Sequence, residues 1–130
     1  MEELDDGSLY LGNYSQGIKH NYAKLFWGDG SIYIGDHVDC VKEGEGVYYA
    51  AGKGVYRGGW REDEMDGPGE YRYGDGSVYI GYYSRGLKEG EGVVTRADGV
   101  SIEGRFCKGE YSGDMRIHTP DGKIVTKHIN

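Results

Sequence analysis

His37 and Cys40 stand three residues apart with Asp39 between them, and an imidazole, a thiol and a carboxylate in one short segment are the material of an activated nucleophile. Catalysis by such a thiol also needs a shaped pocket and donors for an oxyanion. The short polar loop holding Cys40 supplies neither, so the pair reads better as a drifted structural position. Zinc would want four ligands, and this segment offers two. Glu62, Asp63, Glu64 and Asp66 line one loop with carboxylates that suit Ca²⁺, but without the ligand order or terminal bidentate glutamate of an EF-hand; a solvated loop is the better reading. Gly52-Lys53-Gly54 has the look of a phosphate cradle, yet a strand pattern follows it, which leaves no helix N-terminus for the anion. His20, His37, His118 and His128 are dispersed along the chain. No catalytic residue, metal site or cofactor is expected.

The elements that would position these residues recur with a fixed period. A glycine two residues after a tyrosine or isoleucine stands at Gly12, Gly35, Gly58, Gly81 and Gly104, an interval of 23 residues each time. Tyr10, Tyr33, Tyr56, Tyr79 and Ile102 precede it by two, and Tyr14, His37, Trp60, Tyr83 and Phe106 follow it by two. An Asp-Gly step closes most units, as at Asp75-Gly76 and Asp98-Gly99, with Gly52-Lys53 in the one exceptional slot. Such periods mean a repeat array in which each unit buries its face against its neighbours.

Tyr-x-Gly-x-aromatic, a polar loop, Gly-x-Gly, a second aromatic pair and then Asp-Gly resemble the MORN repeat, over essentially all of residues 1–130. The resemblance implies a binding or scaffolding role: self-association, docking of a partner's helix or extended segment, and placement near membranes or cytoskeleton. Phosphoinositide binding has also been proposed for the family.

Alternation within each unit predicts strands. In the fourth unit Tyr79, Gly81 and Tyr83 share one side and Val78, Ile80 and Tyr82 the other, giving a strand over 78–83. A polar hairpin loop is expected over 84–89, a return strand over 90–95, and a two-residue type I′ turn at Asp98-Gly99, where both residues tolerate positive φ. The expected fold is all-β: one domain, an elongated single-layer antiparallel meander of about ten to twelve strands at two per repeat, with repeats starting near 10, 33, 56, 79 and 102. Glycine inside a strand costs stability. Flat aromatic rings lying on bare glycine backbone would repay it, making the tyrosine side the core. The units at either end depart from the pattern, with Asn21 and Ala23 in the first and Ile102 and Met115 in the fifth, as terminal repeats commonly do.

Composition narrows the partners. The balance of 22 acidic to 15 basic residues gives a formal charge of −7, and the basic residues are scattered, so nucleic acid is not expected even though Trp27, Trp60 and Tyr73 could stack on bases. The same charge disfavours anionic lipid. Met1 to Asp6 is acidic without an apolar run, so a secretory leader is not expected. Cys40 and Cys107 lie three repeats apart, roughly 29 Å if strands are spaced at about 4.8 Å, beyond disulfide reach. Two free thiols and an intracellular, cytoplasmic protein are the expectation.

The face opposite the tyrosines carries Ile34, Tyr49, Val78, Ile80, Tyr82 and Val93, with Ile32, Val47 and Val55, interrupted by Arg57, Glu70, Arg72 and Glu103. A solvated sheet face should be polar, and an exposed apolar strip signals an interaction surface. These residues, together with Trp60 and Tyr73 of an aromatic groove, are the candidate partner-binding residues of a non-catalytic interaction module. Its partner is a protein segment or a second copy forming a homodimer; a peripheral lipid-binding module is the alternative, and an accessory part of an enzyme the least favoured.

Overall fold

A computed structural model describes the backbone of residues 2–3, 9–15, 18–38 and 41–129, and the side chains of 23–38 and 41–128. The described chain forms one sheet whose strands follow each other in sequence order, every neighbour antiparallel. The strands are β1 (Glu2–Glu3), β2 (Leu9–Ser15), β3 (Ile18–Phe26), β4 (Ile32–Val38), β5 (Val41–Ala50), β6 (Gly54–Arg61), β7 (Glu64–Tyr73), β8 (Val78–Ser84), β9 (Leu87–Thr95), β10 (Ser101–Cys107), β11 (Glu110–His118) and β12 (Ile124–Ile129). Each 23-residue unit is a hairpin, as expected.

One face is the core. Tyr33, Tyr56 and Tyr79 are fully buried, and Trp60, Tyr83 and Phe106 nearly so. Their rings meet edge to face in a continuous chain: Tyr33 to Trp60 at 5.4 Å, Trp60 to Tyr56 at 5.4 Å, Tyr56 to Tyr83 at 5.2 Å, Tyr83 to Tyr79 at 5.3 Å and Tyr79 to Phe106 at 5.3 Å. This is the geometry that aromatic quadrupoles prefer. Each tyrosine lies along its own strand, and its hydroxyl donates to the carbonyl three residues on: Tyr33 to Asp36, Tyr56 to Gly59 and Tyr79 to Tyr82. Lying down requires bare backbone beneath. A Cβ on Gly46 would fall 2.4 Å from the Tyr33 hydroxyl oxygen, one on Gly69 2.5 Å from that of Tyr56, and one on Gly92 2.6 Å from Tyr79 Cε1.

The two glycines of Gly-x-Gly do different work. The second receives the ring. The first, at Gly44, Gly67, Gly90 and Gly113, has φ of 103°, 84°, 75° and 75°, next to the point where each hairpin's register shifts. The terminal departures follow from the same packing. Ile102 has no flat ring to lay down, and Met115, buried, fills the second-glycine slot.

The turns reverse the expectation. At the 84–89 segment the loop is only Arg85-Gly86, with φ of 50° and 81°, and Ser84 pairs with Leu87. Left-handed geometry at both central residues is the type I′ pattern, whose twist matches the flanking strands. Lys108-Gly109 (50°, 88°) and Glu62-Asp63 (49°, 68°) repeat it. Asp98-Gly99 is not a two-residue turn: Gly99 N–H donates to Arg96 O (3.0 Å), Arg96 N–H to Val100 O (2.8 Å), and only Gly99 is left-handed, at 90°. That is a tight turn followed by a glycine bulge. The aspartate instead accepts a following amide, Val100 N–H to Asp98 (3.1 Å), as Asp29 does from Ser31 and Asp75 from Ser77. Hydrogen bonds from Ser31, Ser77 and Thr119 hold the Asp29, Asp75 and Asp121 carboxyls below the usual range.

Arg85 and Lys108 carry a side chain at a φ that asparagine tolerates better. Arg85→Asn with Lys108→Asn is expected to stabilise the protein by about 0.5–1 kcal/mol, read as a raised thermal midpoint.

Candidate interaction surface

The outer face, opposite the tyrosines, is built of straight rows running across the strands. Cross-strand pairing aligns Lys24, Ile34, Val47, Arg57, Glu70, Ile80, Val93, Glu103 and Arg116 from β3 to β11. Beside it run Phe26, Ile32, Tyr49, Val55, Arg72 and Val78. The core face repeats every 23 residues, whereas the central row of this face alternates apolar and charged units from the second to the fifth. Ile34 and Val47 of the second unit correspond to Ile80 and Val93 of the fourth, while the third and fifth units put Arg57 with Glu70 and Glu103 with Arg116 in those places. Two apolar cups result, four strands or about 19 Å apart at the usual strand spacing. A hollow of about 330 Å³ lies at Ile34, Val47 and Arg57, and one of about 710 Å³ at Ile80, Tyr82, Val93 and Glu103.

Of the residues expected to bind a partner, Ile34, Tyr49, Val78, Ile80, Tyr82 and Val93 all lie on this face. Ile80 is 56% exposed, Tyr82 53% and Tyr49 42%; Ile34, Val78 and Val93 are half-buried. Trp60 and Tyr73 lie on the other side. Trp60 is 7% exposed, gripped by Tyr33, Tyr48 and Tyr56, and its indole N–H donates to Gly46 O (3.4 Å), so it is a packing residue. Tyr73 stacks on Tyr71 at 4.5 Å on the half-open aromatic side.

That aromatic side already holds cations of its own. Lys42 Nζ sits 5.1 Å from the Trp27 ring, 5.4 Å from Trp60 and 5.6 Å from Tyr33, with the Asp63 carboxylate at 3.7 Å. Lys88, 46 residues on, sits 5.2 Å from Tyr79 and 5.3 Å from Tyr73. These are cation–π contacts in a partly desolvated setting. Lys88 falls in the segment expected to be a polar loop, and the 46-residue spacing of the two lysines is the signal that marks them as packing groups.

His37 is buried in the aromatic column of the core face, while Asp39 and Cys40 lie outside the described residues. Cys107 is a free, exposed thiol. Among the described residues no three His, Cys, Asp or Glu side chains gather as a metal site would require. The acidic loop at Glu62 and Asp63 is a tight turn whose groups serve the neighbouring hairpin: Asp63 accepts Lys42 N–H (2.7 Å), and Glu62 N–H donates to Glu43 (2.7 Å).

Residues 10–32, 56–78 and 79–101 match the family model described as the MORN repeat, three complete units covering more than half of the chain. The chain belongs to the MORN-repeat family. The matched units have the frame set by Tyr10, Tyr56 and Tyr79, and the unit starting at Tyr33 and the hairpin from Ile102 fold as further MORN-like hairpins of the same sheet. MORN repeats are generally protein- and membrane-interaction modules and typically non-catalytic. No curated protein matches the sequence.

Proposed function

We propose that this MORN protein is a non-catalytic cytoplasmic scaffold that docks a protein partner on its outer face, through Tyr49, Ile80 and Tyr82 with Ile34, Val78 and Val93 around them. The observation that carries the reading is the exposure of Ile80, Tyr82 and Tyr49 on one face of a single-layer sheet whose other face already contains the core. One sheet cannot bury both faces by itself, and large apolar side chains grouped on an ordered surface favour a complementary surface. The charge of −7 and the dispersed basic residues favour a protein over an anionic membrane.

The test compares the wild-type chain with a Tyr49→Thr, Ile80→Thr, Tyr82→Thr variant as baits in lysate of the source cells. Threonine keeps strand preference while removing apolar area. A protein retained by the wild type and reduced about 10-fold or more on the variant, a loss of about 1.4 kcal/mol, is the expected result. Equal retention would place docking elsewhere. Binding of the wild type to phosphoinositide vesicles that vanishes with added salt would move the function to lipid.

A further inference from the structure

The outer face is complementary to itself. Its central row reads, strand by strand from β3 to β10, Lys24, Ile34, Val47, Arg57, Glu70, Ile80, Val93 and Glu103. A two-fold axis parallel to the central strands β6 and β7, passing between them, reverses this order on a second copy while keeping each residue at the same height along its strand. The row then meets its own reverse: Lys24 faces the partner copy's Glu103, Ile34 its Val93, Val47 its Ile80 and Arg57 its Glu70. The second row adds Tyr49 against Val78 and Ile32 against Thr95, and sets Val55 against Arg72. From β3 to β10 every apolar residue of the central row lands on an apolar one and every charge on its opposite, while Arg116 on β11 falls on β2 at the position of Leu11. The equal spacing of the two cups in each copy produces the apolar match.

From this complementarity, and resting on the outer face being the docking surface, we infer that the occupant of that face is a second copy of the chain, in an isologous face-to-face dimer. Two sheets packed face to face stand about 10 Å apart, enough for one layer of side chains from each. Eight strands at about 4.8 Å by some 17 Å along the strands give roughly 650 Å² per copy, or about 1,300 Å² in all. That reaches the lower part of the range of specific interfaces, about 1,200–2,000 Å². An isologous contact closes on itself and stops at two copies. On the row beyond the glycines, Asp36 falls opposite Glu91, like against like, and Tyr82 opposite Glu45, so this third row opposes the contact that the two inner rows favour. An unrelated partner would need the same 19 Å spacing and the same order of charges; the second copy has both by construction.

Lys24 and Glu103 give the decisive test, since they lie seven strands or about 34 Å apart within one chain and cannot meet there. Both side chains are exposed. The wild type is expected to sediment as a dimer at tens of micromolar. Lys24→Glu and Glu103→Lys alone are each expected to weaken the dimer about 10-fold or more, because each places two like-charge pairs across the axis. An equimolar mixture of the two variants is expected to recover wild-type association as a heterodimer, identified by a mass tag on one chain, since every pair is then opposite again. A wild type that stays monomeric at about 100 micromolar, a dimer indifferent to both substitutions, or a mixture that fails to recover would overturn the inference. A monomeric wild type that still loses its captured protein when Tyr49, Ile80 and Tyr82 are replaced overturns the second copy alone and leaves the docking surface standing. Circular dichroism on each variant confirms that the sheet is intact.

Discussion

Gly69→Ala is expected to destabilise the sheet by about 3 kcal/mol, although it adds one methyl group to a residue whose φ lies outside the left-handed region. The cost is steric. The new Cβ would stand 2.5 Å from the hydroxyl oxygen of Tyr56, 2.6 Å from its Cε1 and 2.8 Å from its Cζ, so the ring must lift off the strand. Tyr56 is wholly buried, donates to Gly59 O at 2.9 Å and touches the Trp60, Tyr71 and Tyr83 rings, so lifting it disturbs three further rings and one hydrogen bond. The upper bound is the removal of the ring itself, about 3–5 kcal/mol for Tyr56→Ala. Because both substitutions break the same contact, the double variant should cost about 1–3 kcal/mol less than the sum of the two. Chemical denaturation of the four proteins measures this. Additive costs would mean that the glycine is there for some reason other than the ring.

Raising the pH should unfold the protein cooperatively between about pH 10 and 12. Burial, the largest cause in each case, pushes Tyr79 up to about 12 and Tyr33, Tyr56 and Tyr83 further still, against an unfolded value near 10. For an acid raised in the folded state, the unfolded chain releases its proton first. The contribution is therefore complete below about pH 10 and is lost as pH rises through the folded values. Each buried ring then removes up to about 1.4 kcal/mol per pH unit, and four rings up to about 5.5 kcal/mol per pH unit, the order of a whole domain's stability. Circular dichroism and tyrosinate absorbance followed together should show these phenols ionising only as the sheet is lost. Their ionisation in an intact sheet would contradict a buried tyrosine core. Tyr56→Phe should move the alkaline midpoint upward while costing about 1 kcal/mol at neutral pH for the lost bond to Gly59.

Much of the fold could be read from the sequence because two columns determine it. A tyrosine and a glycine two residues apart, repeated at a constant interval, specify strand parity, face and register at once, and the ring-on-glycine core follows from bare backbone beside flat rings. The turns could not be read in the same way. Asp-Gly suits a primed turn and a turn with a glycine bulge equally in composition, and the difference at Asp98-Gly99 lies in one φ and one carboxylate hydrogen bond. Glu62-Asp63 has no glycine at all, yet it makes the tighter turn, held by backbone and carboxylate bonds with the preceding hairpin that no local pattern announces. On the outer face the residue types were evident and their grouping was not. Arg57 and Glu70 look like scattered interruptions along the chain, but pairing places them in line with Ile34, Val47, Ile80 and Val93. Trp60 was legible as one of the aromatic column. That its ring is covered depends on Tyr33 and Tyr48 from the preceding hairpin.

Under the proposed function the two faces of this sheet have separate tasks, stability on the tyrosine side and docking on the other. Thermal melts of the Tyr49→Thr, Ile80→Thr, Tyr82→Thr variant beside Gly69→Ala test it most directly, run at about 1 micromolar so that association through the outer face does not add to the wild-type stability. Three exposed substitutions should together cost less than about 1.5 kcal/mol, at about 0.5 kcal/mol each, well below the single buried methyl group. A triple variant that melts as low as Gly69→Ala, or lower, would mean that the outer strip is part of what holds the chain together, and the division of labour between the faces would fall.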